Sequence, residues 1–579
     1  MSSYPKSGRS DSARRSRPRK RSFHGNQFSN TESNECGDNN ESISAKKLSN
    51  TMSENVIVNP LHFYRIIEFF TVFTALSDIL ICRNCKQNVK FAESGIRGLG
   101  FKLVVNCMCG SKQIPSGPFI NNGFEINRRI VFVMRLLGVG REGINLFCNY
   151  MDIGTGICEN TYNSIYDHIH SAAKKIFEFC CKKAVDEEKK ENEKHERPLL
   201  NFKVSGDGTW RKRGFKSLFG VTTLIGYYTG KVVDLVVRSS YCHACAIWKN
   251  KPKTSPEYIA WEENHDEESC TQTHEGSAGS MEVEAIKTMF TRSEELHGVK
   301  YGNYIGDGDS KTFSAVIKLN PYGDELTVTK SECIGHVQKR MGTRLRSVKK
   351  EKHLGGRGKL TEVLIKKLST YYGLAIRRNV NSVEDMKNEI LATYFHMIST
   401  DDNPQHDKCP KGVDSWCKWN EAKALGTEPP KHPTPLHPDV QKAIFPIYQD
   451  LSRVDLLERC LGGHTKNANE SFNSTIWRMA PKHLHSGLKT IEIAAYLAAC
   501  LFNEGSSSIL LVMNELGLIV GNNSFNHAQQ SDSQRVTRQN RRSSLDSKEA
   551  RKARKEKLQA QNEAYEAEEG LQYGAGIAD

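Results

Sequence analysis

Asp207, Asp307 and Glu470 lie far apart in the chain, yet each stands in a setting suited to chemistry. Asp207 follows a short apolar run in Phe-Lys-Val-Ser-Gly-Asp-Gly-Thr-Trp, and Asp307 follows another in Tyr-Ile-Gly-Asp-Gly-Asp-Ser. Both read as strand ends. Glu470 falls early in a segment that reads as a helix, His-Thr-Lys-Asn-Ala-Asn-Glu-Ser-Phe-Asn. Two strand-end aspartates and a helical glutamate form a hard-oxygen set. Such a set holds two Mg²⁺ or Mn²⁺ ions about 3.5–4 Å apart, with Asp207 bridging and Asp307 and Glu470 holding one each. Ions so placed activate an attacking oxygen and stabilise a leaving one, which is the chemistry of phosphoryl transfer and of DNA cutting and joining. Singly, an aspartate beside glycine is an ordinary turn residue; the order and joint placement of the three carry the reading. Asp309 is the main rival to Asp307, and Asp234 a weaker alternate.

The elements that must position these acids read as α/β. Phe202–Gly206, Ser217–Gly226 and Lys231–Ser240 are consecutive strand candidates separated by glycine-bearing turns. A helix at Met281–Arg292, a strand at Tyr301–Gly306 and a strand at Leu326–Thr329 follow, which is the connectivity of an RNase H-like core. Mainly helical sequence fills 337–460 before helices at Asn467–Met479 and Thr490–Asn503. Ahead of the core, 124–195 reads as helices Ile126–Leu137, Gly140–Asn149 and Asn160–Phe179 with helix-turn-helix-like breaks, and Lys182–Arg197 as a linker or solvated helix end. The expected organisation is a disordered basic tail (1–52), a zinc-ribbon-like module (53–120), a helical DNA-binding region (121–198), the first part of the core (199–336) with a Cys/His insertion at 241–280, a helical insertion (337–460), the last part of the core (461–530), and a charged tail (531–579).

Seventeen cysteines, scattered or in close pairs with histidines nearby, fit reduced metal-binding thiols better than a disulfide framework. Three zinc sets follow. Cys82-x2-Cys85 with Cys107 and Cys109 is the cleanest, because two close pairs complete a thiolate shell; buried free thiols are the bland alternative. Cys242 and Cys245 with His265 and Cys270 form a second set, with His274 in reserve. His406, Cys409 and Cys417 offer a third, with His396 as fourth ligand.

Lys and Arg outnumber Asp and Glu by 81 to 67, a net charge of +14, which favours a polyanionic partner. Arg14–Arg21 is a basic cluster suited to nuclear import or phosphate contact. Lys339, Arg340, Arg344, Arg346, Lys349 and Lys350 recur along one helix, as a solvated face or as a track for phosphates. Phe63–Cys82 is apolar but contains Arg65, Glu68 and Asp78, so it reads as a buried helix rather than a membrane span. Gly355-Gly-Arg-Gly-Lys359 lacks the context of a nucleotide-binding loop, so no nucleotide cofactor is expected. Trp210 and Trp477 read as core aromatics beside two of the acids.

Ser-Gly-Asp-Gly-Thr-Trp, Gly-Asp-Gly-Asp-Ser-Lys-Thr, Cys333-Ile-Gly-His336 and Asn-Ala-Asn-Glu-Ser-Phe-Asn together resemble the Mutator-like transposases. Gly276–Glu282, Ser415-Trp-Cys417 and Tyr573-Gly-Ala-Gly are similar to segments of animal members, and the likeness covers roughly residues 55 to 579. The resemblance implies an RNase H-like catalytic core, cut-and-paste transposition of double-stranded DNA ends into a target, and Cys333 and His336 supporting the active site. It also implies a homo-oligomer that holds two ends together. A transposase-derived regulator without catalysis and an RNase H-like nuclease are the competing readings.

Overall fold

The computed structural model describes residues 42–49, 52–212, 217–266, 270–306, 310–356, 358–413 and 415–543. Asp307, Asp309, the Arg14–Arg21 cluster, Arg357 of the glycine-rich loop and the Tyr573 motif lie outside the described residues. The described chain is mixed α/β and mostly helical.

After a helix at Phe69–Ile79 comes a three-stranded antiparallel sheet of β1 (Lys90–Arg97), β2 (Gly100–Cys107) and β3 (Gly110–Pro115), then a minimal hairpin, β4 (Phe119–Ile120) with β5 (Gly123–Phe124). The apolar stretch around this helix is not buried as the sequence suggests. The helix spans only Phe69–Ile79, none of its residues is buried, and it rests on the small sheet through Phe69 against Phe101 and Phe73 against Phe91. One small sheet cannot cover a helix on every side, so Ile66, Ile67, Phe70 and Ile79 stay exposed. No helix among the described residues is long and apolar enough to cross a membrane.

The central sheet has five strands: β6 (Asn201–Trp210), β7 (Phe219–Gly226), β8 (Val232–Ser239), β9 (Lys300–Gly306) and β10 (Thr329–Glu332). Their order is β10-β9-β6-β7-β8; β6, β9 and β10 run parallel, and β7 and β8 are added antiparallel. The β-branched run Val-Thr-Thr-Leu-Ile makes β7 a good two-sided core strand, and every residue of it is buried. The last strand lies three residues later than its sequence suggests. Thr329–Glu332, not Leu326–Thr329, pairs with Asn303–Gly306, a register that sets Thr329 opposite Asn303 and lets the Asn303 side chain bond both the Thr329 and Ser331 hydroxyls.

Helices cover both faces. On one, Ala285, Ile286 and Met289 of helix Ala278–Thr291 meet Phe202 and Val204 of β6, Leu224 of β7 and Val236 of β8. On the other lie helices Glu159–Lys194, Asn467–Met479 and Leu488–Glu504. Glu159–Lys194 runs unbroken for 36 residues, so Lys182–Lys194 is neither linker nor solvated end. Its Ala184, Val185 and Glu188 are buried, and Glu188 accepts the Tyr228 and Thr229 backbone N–H groups at 2.9 Å each. The preceding helices, Glu125–Leu136 and Arg141–Tyr150, share this core: Val131, Phe132 and Ile144 belong to one apolar cluster with Ile476, Leu497 and Val512. Residues 334–460 build a second core around Val337, Leu368, Ile390 and Tyr448.

Candidate metal-binding and nucleic-acid-processing site

A strand presents alternate residues to one face, and a helix presents every fourth to a stripe. The two periods mesh where Asn467–Met479 crosses β6. Phe202 and Val204 point into the core, while Lys203, Ser205, Asp207 and Thr209 face the helix and the turn before it. Lys203 Nζ stands 3.4 Å from His464 Nε2. Ser205 donates its hydroxyl to Asn469 Oδ1 at 2.7 Å, and Asn469 Nδ2 returns a bond to the Ser205 carbonyl at 3.2 Å. Asp207 accepts from Lys466 Nζ at 2.8 Å and from Asn473 Nδ2 at 2.7 Å. Trp477 Nε1 donates to Thr209 Oγ1 at 2.8 Å. The stripe 469, 473, 477 thus fixes the helix along the strand, with exposed Glu470 set beside it.

Asn469 is fully buried and satisfied at both ends of its amide. Truncating it strands the Ser205 hydroxyl and carbonyl, so Asn469→Ala should cost about 2 kcal/mol and Ser205→Ala about 1. A double-mutant cycle by urea denaturation checks this, and a coupling near zero would contradict the account.

Asp207 is not at the strand's tip as the sequence suggests. It pairs with Thr223 and the antiparallel ladder continues to Trp210, whereas the parallel ladder with β9 ends at Ser205 opposite Ile305. Asp207 lies two residues past Ser205, and Asp307 lies two past Ile305 in the sequence. Gly206 lets Tyr304 of β9 pack flush against β6, since a Cβ there would stand 2.4 Å from the Tyr304 ring. Gly208 lies against Glu282, whose Oε2 would be 2.6 Å from an added Cβ. Glu282 is thereby a further carboxylate next to the Asp207 strand, on the sheet's opposite face.

Cys333 is buried and precedes helix Ile334–Glu351. Its N–H donates to the Gly306 carbonyl at 3.3 Å, immediately before Asp307, and the Ile334 N–H donates to the His464 carbonyl at 3.0 Å. The Cys333/His336 turn, the end of β9 and the segment leading to Glu470 are therefore neighbours. Asp234 plays another part: it is buried in an ion pair, with its Oδ2 3.1 Å from Arg292 Nε. Trp210 and Trp477 are half-buried, and Trp210 Nε1 donates to the Ala278 carbonyl at 2.8 Å.

The residues present fit a hard divalent cation. Asp207 is a half-buried carboxylate anchored on a rigid strand, Glu470 is an exposed carboxylate on a helix tied to that strand, and both offer oxygen donors.

His464 is buried, and its imidazole is pushed down to about 4 by that burial, with Lys203 and Arg197 adding to the effect. The folded chain keeps it neutral, whereas the unfolded chain takes up a proton near pH 6.5. This contribution to stability is complete above about pH 6.5 and drains away as the pH falls toward 4. His464→Gln should flatten the loss of stability between about pH 7.5 and about pH 4.5 by about 2 kcal/mol, measured by denaturant titration at both. Parallel curves for the two proteins would contradict the assignment.

Basic residues on helix Ile334–Glu351 are largely engaged with the protein's own acids. Arg340 bonds Glu332 at 2.7 Å, Arg344 pairs with Asp450, and Arg346 and Lys349 hold Glu362 at 3.1 and 2.9 Å. Lys339 and Lys350 are exposed. The pairs of Arg344, Arg346 and Lys349 lie at the surface and are worth under about 1 kcal/mol each, whereas Arg340 is held by a buried carboxylate, Glu332.

All three cysteine–histidine sets assemble, the ligand atoms of each lying within 4.8 Å of one another. A tetrahedral zinc with bonds of about 2.3 Å separates its sulfurs by about 3.8 Å. Cys82 and Cys109 stand at 4.0 Å and Cys245 and Cys270 at 3.6 Å. Cys82-x2-Cys85 sits in a tight turn closed by the Ile81–Asn88 bridge, and Cys107 and Cys109 in the β2–β3 turn. Backbone N–H groups of Cys85 and Asn84 bring the Cys82 thiol down to about 6, which favours the thiolate a metal needs. In the second set, His265 Nε2 lies 3.2 Å from Cys245 and 3.6 Å from Cys242. His274 is not its reserve ligand: it is buried, with Nδ1 2.6 Å from Glu284 and Nε2 3.1 Å from the Ser277 carbonyl. In the third, His396 Nδ1 and His406 Nδ1 stand 3.8 and 3.4 Å from Cys417.

The groups behind these ligands carry no spacing signal in the chain. His406 Nε2 lies 2.8 Å from His432 Nε2, and His432 Nδ1 lies 2.7 Å from Asp401, a chain that orients His406 so that Nδ1 faces the sulfurs. Lys466, Asn469 and Asn473 are a further part of the site, and their only sequence signal is the Asn-x3-Asn-x3-Trp spacing of a helical stripe. No curated protein matches the chain. The family profile described as Mutator-like transposase matches residues 63–417, more than half of the chain and including Asp207, Asp307 and all three cysteine–histidine sets. The chain belongs to the Mutator-like transposase family.

Proposed function

We propose that the protein is a DDE-type DNA transposase that cuts and joins DNA at terminal inverted repeats through an RNase H-like core. The observation that supports this most is the junction of Asp207 on the central strand with the Glu470 helix through Lys466 and Asn473. The order β10-β9-β6-β7-β8, with its first three strands parallel, is that expected of an RNase H-like sheet. Asp307 is the second carboxylate of the proposal, with Asp309 its rival.

Two Mg²⁺ or Mn²⁺ ions, when bound, would supply activation of the attacking oxygen and neutralisation at the leaving one. The chain's part is to hold Asp207 and Glu470 in fixed relation, one on a rigid strand and the other on a helix locked to it. Water and then the freed 3′-OH serve as successive nucleophiles, so no covalent protein–DNA intermediate forms. Cys333 and His336 shape the floor of the site. The zinc sets hold peripheral elements that grip DNA, aided by Lys339 and its basic neighbours, in a nuclear protein that works as a homo-oligomer on paired ends.

A joining assay separates this reading from its competitors. Full-length protein with Mg²⁺, a duplex ending in the element's terminal repeat and a target plasmid should yield covalently joined products. Cutting of RNA–DNA hybrids without joining would favour a nuclease, and tight end binding without either product would favour a regulator.

A further inference from the structure

Asp207 is met by a cation of the protein's own. Lys466 stands just before the Glu470 helix, its side chain is 2 % exposed, and its ammonium lies 2.8 Å from Asp207 Oδ1. Asn473 takes the other oxygen at 2.7 Å. The same segment that presents Glu470 thus supplies both side-chain donors to Asp207. Asn473 is neutral, and a carboxylate oxygen has a second lone pair, so its bond is compatible with a metal on the same group. Lys466 is different. A full positive charge at contact distance from the ligand oxygen repels an incoming divalent cation directly, and in a buried setting little water screens that repulsion.

Resting on the metal-dependent reading above, we propose that Lys466 is an internal counter-cation that competes with the divalent ion for Asp207, and that a DNA phosphate relieves the competition by drawing the ammonium away. Ion loading is thereby coupled to DNA: the site is poorly charged without substrate and charges when a backbone arrives. By reciprocity, the divalent ion strengthens the Lys466 contact to phosphate by the same factor. Lys466 acts here as a positioning and gating residue through Asp207.

The test is a Mn²⁺ titration of the full-length, zinc-retaining protein, followed by the electron paramagnetic resonance signal of free Mn²⁺. It is run with and without a duplex oligonucleotide, and the binding of duplex alone is subtracted. Wild-type protein should bind Mn²⁺ weakly alone and more tightly with duplex, in a manner lost in Asp207→Asn. Lys466→Met should bind about tenfold more tightly without DNA and gain little from adding it, whereas Lys466→Arg should behave as wild type. If Lys466→Met fails to fold, Lys466→Gln, which keeps a donor without the charge, carries the same readout. Unchanged Mn²⁺ affinity in the folded, uncharged variant overturns the proposal while leaving the metal site standing. Absence of any Asp207-dependent Mn²⁺ binding, with or without duplex, overturns the metal-dependent reading itself.

Discussion

Asp207→Asn will abolish strand cleavage, lowering its rate by about 10³-fold or more, while end binding changes only a few-fold. The asparagine keeps the size of the side chain, and its one amide oxygen can accept from Lys466 while Asn473 turns its own amide oxygen toward the new NH2. The buried ammonium loses its counter-charge, so the variant should be less stable, and folding is verified before cleavage is compared. What the asparagine removes is the negative charge and one of the oxygens from the centre of the site. Glu470→Gln should behave alike, and with less effect on stability, because Glu470 is exposed. The measurement pairs nicking of an end-labelled duplex with a mobility-shift titration of the same DNA. Loss of binding parallel to loss of cleavage would assign these acids to the scaffold, and undiminished cleavage would remove them from the chemistry altogether.

Cys417→Ser should be the most destabilising single change in the helical insertion. Cys417 and Cys409 are buried in a small core with Ala392, between Trp416 and Trp419. His406 is also buried, and its ring stacks on Trp419. So small a core cannot hold two thiols and two imidazoles in place by apolar contact alone, and a structural zinc contributes about 10 kcal/mol where it is bound. The Cys417 thiol is also held below the ordinary thiol range, chiefly by its hydrogen bond from Cys409 and despite burial, which favours one thiolate in the pair. The substitution should release one zinc per chain, measured by elemental analysis, and lower the melting temperature by about 10 °C. Cys158→Ser, at an exposed thiol outside every set, should do neither. An unchanged zinc content in Cys417→Ser would show that this set holds no metal.

The parts of the molecule legible in its sequence are those where a local pattern has one physical outcome. Glycine-punctuated β-branched runs give β6, β7 and β8 to within a few residues, and paired cysteines find the ligand sets because thiols so spaced have few other uses. What stayed hidden depends on neighbours distant in the chain. Lys182–Lys194 looks like a solvated helix end until the β7–β8 turn is laid against it, at which point buried Glu188 caps that turn. Asp234 and His274 look like ligands until Arg292 and Glu284 meet them. The Phe63–Cys82 stretch looks like core because composition counts apolar residues but not what is available to cover them. Lys466 carries no sequence signal, because a lysine ahead of a helix is ordinarily solvated and only the crossing of that helix over β6 buries it on Asp207.

The central claim is that Asp207 and Glu470 belong to one metal-dependent centre that breaks DNA. It is tested most directly by incubating the purified full-length protein with Mg²⁺ and a duplex carrying the element's own terminal repeat, then mapping the strand breaks at nucleotide resolution. The expected result is a break at the end of the repeat that leaves a 3′-OH, requires Mg²⁺ or Mn²⁺, and disappears with chelator or in Glu470→Gln. Cleavage that persists in chelator or in Glu470→Gln would contradict it, as would folded protein that binds the repeat yet never breaks it with either ion.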